Sequence, residues 1–381
     1  VRKNLREVVT HQLVKEYALL NDKIVKLDHK ILENFMRDVF IGIGVPKEDA
    51  EICANILIMS DLRDITSHGV QRMRMYYDRI KAGYHKPITK ITVVKESPST
   101  ATLDAGHGMG HVAAYRAMEL AIKKAKETGT GAVAVGNSTH YGFAGYYPIM
   151  ACKVGMIGLT TTNARPAVAP TFGTEPMMGT NPLTIGIPTD EEFDFILDCA
   201  TSISQRGKIE VSSRIDKPIP EGWVINESGE LATNPTQILE DLLEGKAALL
   251  PLGGAGETYG GHKGYGYSVA AEMLSAALSG GPFLKELTLD KGYKLGHFFL
   301  AIDVSKFIDE KVFRSIAGGI CRSLRSSRKV PGEDRIYTAG EKSYEAEQKI
   351  SKEGVPLNKS LQDDLLFMKK ELGLDQYDFP F

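Results

Sequence analysis

Along the first quarter of the chain, apolar residues fall four apart. In LDHKILENFMRDVFIGIGV (27–45), Ile31, Phe35, Val39 and Ile43 share that spacing, which predicts an amphipathic helix. PKEDAEICANILIMSDLRDI predicts a second, opening on Pro46 with acids in its first turn. Both run into SHGVQRMRMYYDRIKAG (67–83), where a continued helix would set His68, Arg72 and Tyr76 on one face at four-residue steps. Beyond Pro87 the pattern changes. ITKITVV and TATLDAG are rich in β-branched residues and end in a glycine cluster, so they predict a strand pair.

From Gly110 helical and extended patterns alternate. HVAAYRAMELAIKKAKETG reads as a helix stopped at Gly129, GAVAVG as a buried strand, YYPIMACKVG as a helix stopped at Gly155, and MIGLTTTN as a strand. LTIGIPT (183–189) and FDFILDCAT (193–201), joined by Asp190, Glu191 and Glu192, predict an antiparallel hairpin. A polar excursion over 205–235 precedes LLPLGGAGETYGGHKGYGY, which leads into the helix SVAAEMLSAALSG. Strand HFFLAIDV (297–304) and a helix over 309–329 follow, and after Pro331 the chain is polar with mixed charge. The order predicts an α/β fold built on a mixed sheet, with a helical N-terminal region before it.

Composition narrows the function classes. Forty-eight acids nearly balance 46 bases across 381 residues, without the basic footprint of a nucleic-acid binder, so the expected partner is a small molecule. Arg2, Lys3 and Arg6 are not followed by an apolar signal core, and no window approaches the length of a membrane span, so the reading is of a cytoplasmic protein. Cys53, Cys152, Cys199 and Cys321 stand far apart with no CxxC pair and are expected to be reduced, buried thiols.

Neither phosphate-binding fingerprint is present. GHGMGH (106–111) and GGAGETYGG (253–261) lack the last glycine of GxGxxG, and no GxxxxGK[ST] occurs, which argues against a Rossmann site. The loop GETYGGHKGYG still places glycines and Lys263 before a helix, as an anion site would, although a plain connection fits the same letters. His107 and His111 are four apart without the glutamate of HExxH, so no metal is expected. Arg72 and Tyr76 could grip the carboxylate of a 2-oxo or 2-hydroxy acid beside His68, or could be ordinary side chains of a solvated helix. His140, in GNSTHYGFAGYY at the end of a buried strand, stands where α/β enzymes place chemistry, and position alone leaves open whether it moves protons or caps a turn.

Seven blocks, in order, resemble the type-2 malate/L-lactate dehydrogenase family, which includes ureidoglycolate and sulfolactate dehydrogenases and certain imine reductases. They are SHGVQRMRMYYDRIKAG (67–83), HYGFAGYY (140–147), FGTEPMMGTNPLTIGIP (172–188), LDCATS (197–202) with RGKIE, IPEGWVINESGELATNP (219–235), GGHKGYGYSV (260–269) and VPGE (330–333). The resemblance implies a non-Rossmann nicotinamide-binding fold of the sulfolactate dehydrogenase type. It divides the chain into an N-terminal helical region (1–85), a strand and helix part of the second lobe (86–129), an NAD(P)-binding domain (130–308), and a C-terminal helix and tail (309–381) that packs back on the N-terminal part.

The same resemblance implies hydride transfer between NAD, or NADP, and a 2-oxo acid, with malate and oxaloacetate the preferred pair. It makes His140 the acid/base, adds Ser67 and His68 to the catalytic group, and gives substrate to Arg72 and Tyr76. Asn163, Ala164, Thr180, Asn181, Asp198, Cys199, Ala200 and Lys263 match positions at the cofactor, and Arg206 with Lys208 lean toward a 2′-phosphate. It further implies a homodimer whose active site is completed near the interface. Asp64 stands where relatives often carry glycine. Lactate, ureidoglycolate, sulfolactate or a cyclic imine would use the same machinery. A hydrolase or lyase built on His140 and Lys263 is the rival from another class, for which no nucleophile pair or ligand set is visible.

Overall fold

A computed structural model describes residues 24–288 and 292–381, so the basic stretch with Arg2, Lys3 and Arg6 lies outside the described residues. The chain divides into two compact units, one joining the described residues up to Asp78 to Gly318–Phe381, the other Arg79–Ala317.

The first unit begins with β1 (Val25–Leu27), α1 (His29–Gly42) and α2 (Lys47–Leu62). Asp28 caps α1 by accepting from the amides of Lys30 and Ile31, so the helix starts where its first N–H groups find a side chain. The buried stripe of α1 is Leu32, Phe35, Met36, Val39 and Phe40, while Ile31 faces outward. A strict four-residue spacing drifts around a helix of 3.6 residues per turn, so its first member leaves the core face. Thr66–His68 and Val70–Arg72 form two 3-10 turns before α3 (Met73–Lys81). The single helix expected to carry His68, Arg72 and Tyr76 is therefore interrupted, at Gly69.

The second unit opens with β2 (Thr92–Glu96), β3 (Thr100–Asp104), α4 (Gly110–Thr128) and β4 (Thr130–Ser138), continues through α5 (Tyr146–Cys152) and β5 (Met156–Thr162), and forms the expected hairpin from β6 (Leu183–Ile187) and β7 (Phe195–Cys199). The span expected to be a polar excursion is folded. It contains α6 (Arg206–Arg214), β8 (Val224–Asn226), β9 (Leu231–Ala232), α7 (Pro235–Glu244) and β10 (Ala247–Leu249), whose three strands pair over a core of Ile209, Ile219, Val224, Ile238 and Leu249. Helix α8 (Gly261–Glu272) and a π-helical continuation, Met273–Ala277, precede β11 (Leu295–Asp303).

The seven-stranded sheet has the order β2-β3-β4-β11-β5-β6-β7. Only β3 and β4, joined through α4, run parallel, as a helical crossover requires; every other pairing is antiparallel, so the sheet is mixed. Along α4, Ala113, Ala114, Ala117, Ala121 and Ala125 are buried, a row of small side chains that lets the helix approach the sheet closely.

Helix α9 (Glu310–Arg325) closes the second unit's sequence and enters the first. In the first unit the tail, which shows no pattern in sequence, is ordered as α10 (Glu341–Glu353), β12 (Val355–Leu357) and α11 (Lys359–Leu372). Strand β12 pairs antiparallel with β1, and Tyr377 and Phe379 set their rings on Phe35 at 5.2 and 5.1 Å.

Asp64 has φ of 59°, a left-handed conformation that glycine adopts without strain. Its side chain is exposed. All four cysteines are free; Cys53, Cys152 and Cys321 are buried and Cys199 is partly exposed. Among the described residues no helix is long and apolar enough to cross a membrane.

Helix α4 lies close against the sheet at Gly131, where an added Cβ would lie 2.0 Å from the Ala121 carbonyl oxygen. Gly131→Ala is expected to cost about 1–3 kcal/mol by overpacking, read as a lower denaturant midpoint with an unchanged slope.

Candidate functional site

In the first unit, the turn after α2 gathers three of the residues singled out in sequence. Ser67 Oγ lies 2.8 Å from His68 Nδ1, and Arg72 Nε donates to the Ser67 carbonyl at 2.6 Å. Where one helix was expected to align His68, Arg72 and Tyr76, two 3-10 turns broken at Gly69 bring Arg72 onto the Ser67 carbonyl. Burial, and then the positive Arg72, push the His68 imidazole down to about 4, so it is neutral at pH 7. Tyr76 is fully buried, its ring 6.3 Å from that of Phe40. It anchors α3 in the core.

The sequence reading missed Asp61. This carboxyl, at 2 % exposure, accepts the Val70 amide at 2.7 Å, and its Oδ1 lies 2.0 Å from where a Cβ on Gly69 would sit. Gly69 has φ of −92°, so its lack of a side chain serves space, not backbone freedom. Ser60 Oγ donates to the Ile65 carbonyl at 2.7 Å, fixing the other end of the turn. A buried acid just upstream of SHG was the available signal, but in sequence Asp61 looks like any polar residue near a helix end.

In the second unit, β4 delivers His140. Its Nδ1 accepts the Gly142 amide at 3.2 Å, which leaves the ring proton on Nε2. The loop is clamped on both sides. Thr139 Oγ1 donates to the Gly108 carbonyl and accepts from the Gly110 amide, both at 2.9 Å, while the Tyr147 hydroxyl donates to the Tyr141 carbonyl. Asp198 at the end of β7 accepts from the Gly145 amide and from Thr184 Oγ1, each at 3.0 Å. Asp198 thus joins the His140 loop to the segment carrying Cys199 and Ala200, both partly exposed.

Asn163 and Asn181 also meet, through a buried carboxylate. Asn163 donates to Glu272 Oε1 at 3.3 Å and Asn181 to Glu272 Oε2 at 2.7 Å. Their carboxamide oxygens accept from the backbone amides of Gly296 and Ala164, at 2.9 and 3.1 Å. Both asparagines are wholly buried, so they shape the backbone around Ala164 and Thr180, which are partly exposed. Glu272 borders a cavity of about 420 Å³, whose wall includes none of the residues singled out in sequence.

Lys263 is exposed in the first turn of α8, whose start has no side-chain cap. A cation beside uncapped amides suits a pyrophosphate, so these residues fit the phosphate portion of a nucleotide. Arg206 pairs with Glu210 at 3.0 Å and Lys208 sits 5.8 Å from the Trp223 ring, so both are engaged on α6 and its surroundings. Among the described residues, no three His, Cys, Asp or Glu side chains could hold a metal ion.

Burial raises the Asp61 carboxyl from 3.8 to about 8, against the Val70 amide, which lowers it. The folded protein holds this proton more tightly than the unfolded chain. Its contribution to stability is therefore complete below pH 3.8 and is lost as pH rises toward about 8. Asp61→Asn, which cannot ionise, is expected to flatten the fall in stability across that window, measured by urea unfolding at several pH values; an unaltered pH dependence would contradict it.

With this geometry in view, comparison with known proteins is direct. The malate/L-lactate dehydrogenase family model matches residues 27–366. The chain is 43 % identical to a malate dehydrogenase of Pyrococcus horikoshii, over 94 % of this chain and 99 % of that protein. It is 38 % identical to an L-sulfolactate dehydrogenase of Methanocaldococcus jannaschii, over 90 % of this chain and 96 % of that one. Its structure superposes on the crystal structure of malate dehydrogenase from Entamoeba histolytica with a TM-score of 0.90 and 42 % identity, covering 94 % of this chain and all of the other. The family match takes in both the Ser67–Arg72 turn and the His140 loop, and the chain belongs to the malate/L-lactate dehydrogenase family.

Proposed function

We propose that the protein is a nicotinamide-dependent 2-hydroxy acid dehydrogenase that interconverts malate and oxaloacetate, with NAD as cofactor and NADP as the alternative. The observation that carries this reading is the gathering of hydroxyl, imidazole and guanidinium at Ser67, His68 and Arg72, in a chain 43 % identical to a malate dehydrogenase.

Reduced nicotinamide, when bound, supplies the hydride that reaches C2 of the 2-oxo acid. Arg72, its Nε anchored on the Ser67 carbonyl, is set to grip the C1 carboxylate through its terminal nitrogens. His140, protonated, gives its proton to the forming alkoxide and takes it back in the reverse direction. Lys263 and the start of α8 would hold the phosphates, and the surface around Ala164, Thr180, Cys199 and Ala200 the remainder of the nucleotide. A homodimer, tested by light scattering, completes the proposal.

A second reading gives the proton to His68. The Gly142 amide on His140 Nδ1 suits a neutral ring and must be released when that ring is charged. The Ser67 hydroxyl on His68 Nδ1 can donate or accept, and so suits both states, although burial and Arg72 keep that ring neutral at pH 7 in the ligand-free protein.

Absorbance at the nicotinamide band separates the possibilities. NADH and NADPH are tested with oxaloacetate, pyruvate, sulfopyruvate and a cyclic imine, and ureidoglycolate is tested in the oxidative direction. Oxaloacetate is expected to give the highest kcat/KM. No turnover with any of them would leave the dehydrogenase reading without support and reopen a hydrolase or lyase. His140→Asn is expected to lower kcat by roughly 100- to 10,000-fold while cofactor still binds; near-normal turnover there, with that loss in His68→Asn instead, moves the proton to His68.

A further inference from the structure

The central strand of the seven-stranded sheet carries a buried histidine. His297 lies on β11, between β4 and β5, opposite Val135 on one side and Thr162 on the other. It is fully buried, and both ring nitrogens are bonded: Nε2 to Ser138 Oγ at 2.9 Å and Nδ1 to Thr162 Oγ1 at 2.7 Å. Its ring is stacked on that of Tyr141, centroids 4.7 Å apart and planes inclined by 13°. The backbone of Thr139 and of Gly296 also lies against the ring.

Either neutral tautomer of His297 satisfies both hydroxyls. The Thr162 hydroxyl has one hydrogen and lies 3.0 Å from the carbonyls of both Asn163 and Gly296. With that hydrogen on a carbonyl, His297 Nδ1–H donates to Thr162 and Nε2 accepts the Ser138 hydroxyl; with it on Nδ1, Nε2–H donates to Ser138. Burial pushes the imidazole down to about 3, so the ring stays neutral at every working pH.

A core histidine with two hydroxyl partners could be structural only. The partners point further. His297 touches Ser138, Thr139 and Tyr141, the residues on either side of His140, and it touches Thr162, next to Asn163 and Ala164. No apolar side chain could bond to both hydroxyls, which would otherwise be buried with a partner lost.

We propose that His297 is a positioning residue, a buried two-sided tie that sets His140 at a fixed place relative to the Asn163–Ala164 end of β5. The proposal rests on the reading of His140 as the proton carrier. His297 meets no substrate; it acts through the backbone that presents His140.

The test uses the full-length protein with His297→Phe, which keeps a flat ring for Tyr141 and removes both hydrogen bonds, and His297→Gln, whose carboxamide can still reach Ser138. In the phenylalanine variant kcat with oxaloacetate is expected to fall about 10- to 100-fold, the loss a displacement near 1 Å produces. NADH affinity, read by fluorescence, and the KM for oxaloacetate should stay within about twofold. The pH profile of kcat should shift, and the glutamine variant should recover part of the rate. In the ligand-free protein the Cε1–H resonance of His140, identified by its loss in His140→Asn, should move and titrate at a different pH.

Unchanged kcat, pH profile and His140 resonance in a folded His297→Phe protein overturn the proposal; if that variant does not fold, the same readouts in His297→Gln decide. Failure of the underlying reading looks different. His140→Asn would then turn over normally, while the His140 resonance would still report whether His297 controls its surroundings.

Discussion

The placing of β11 between β4 and β5 is the constraint on which the second unit depends. Strands β4 and β5 are close in sequence, joined only by the His140 loop and α5, yet they are not neighbours in the sheet. A strand from more than a hundred residues later separates them, so their ends stand two strand spacings apart, roughly 10 Å. That separation holds the His140 loop off the Asn163–Ala164 segment, with one strand's side chains beneath both. A direct β4–β5 pairing would close the gap. The long path to β11 also makes this pairing non-local, so the segments are set in register only when the sheet is complete.

Two carboxylates, Glu272 buried and Asp198 partly exposed, then fix the backbone around this frame. Glu272 collects the side chains of Asn163 and Asn181 and the amide of Leu284, while Asp198 collects the Gly145 amide and Thr184. Each carboxyl group is held by at least two donors, as the removal of polar atoms from water demands. The residues proposed for the cofactor therefore fall into two groups. Asn163, Asn181 and Asp198 spend their polar groups on the scaffold, and Ala164, Thr180, Cys199, Ala200 and Lys263 offer surface.

Much of this was legible in the residues. The helix over 110–128 and the hairpin at 183–201 follow from periodicity and glycine stops, because each is long enough to repeat its pattern. Strands β8, β9 and β10 are two or three residues long, too short for alternation to register, and their core is assembled from Val168 to Leu249. The break at Gly69 escaped because a lone glycine inside a helical pattern is usually tolerated. His140 and the Ser67–Arg72 turn were visible through the ordered blocks of the family, since no general fingerprint marks this fold. Asp61 and His297 were not, because a residue held by distant partners looks in sequence like its neighbours: Asp61 a helix-end acid, His297 one letter in the strand HFFLAIDV.

The fit between Asp61 and Gly69 bears on how such a site can change over generations. The carboxyl occupies the volume that any side chain at 69 would need, so a larger residue at 69 evicts it and a smaller one at 61 leaves a hole beside the turn. Neither position is free to vary alone. They behave as a single inherited character, and a lineage that remodels this turn must pass through a poorly folded intermediate or alter both codons together.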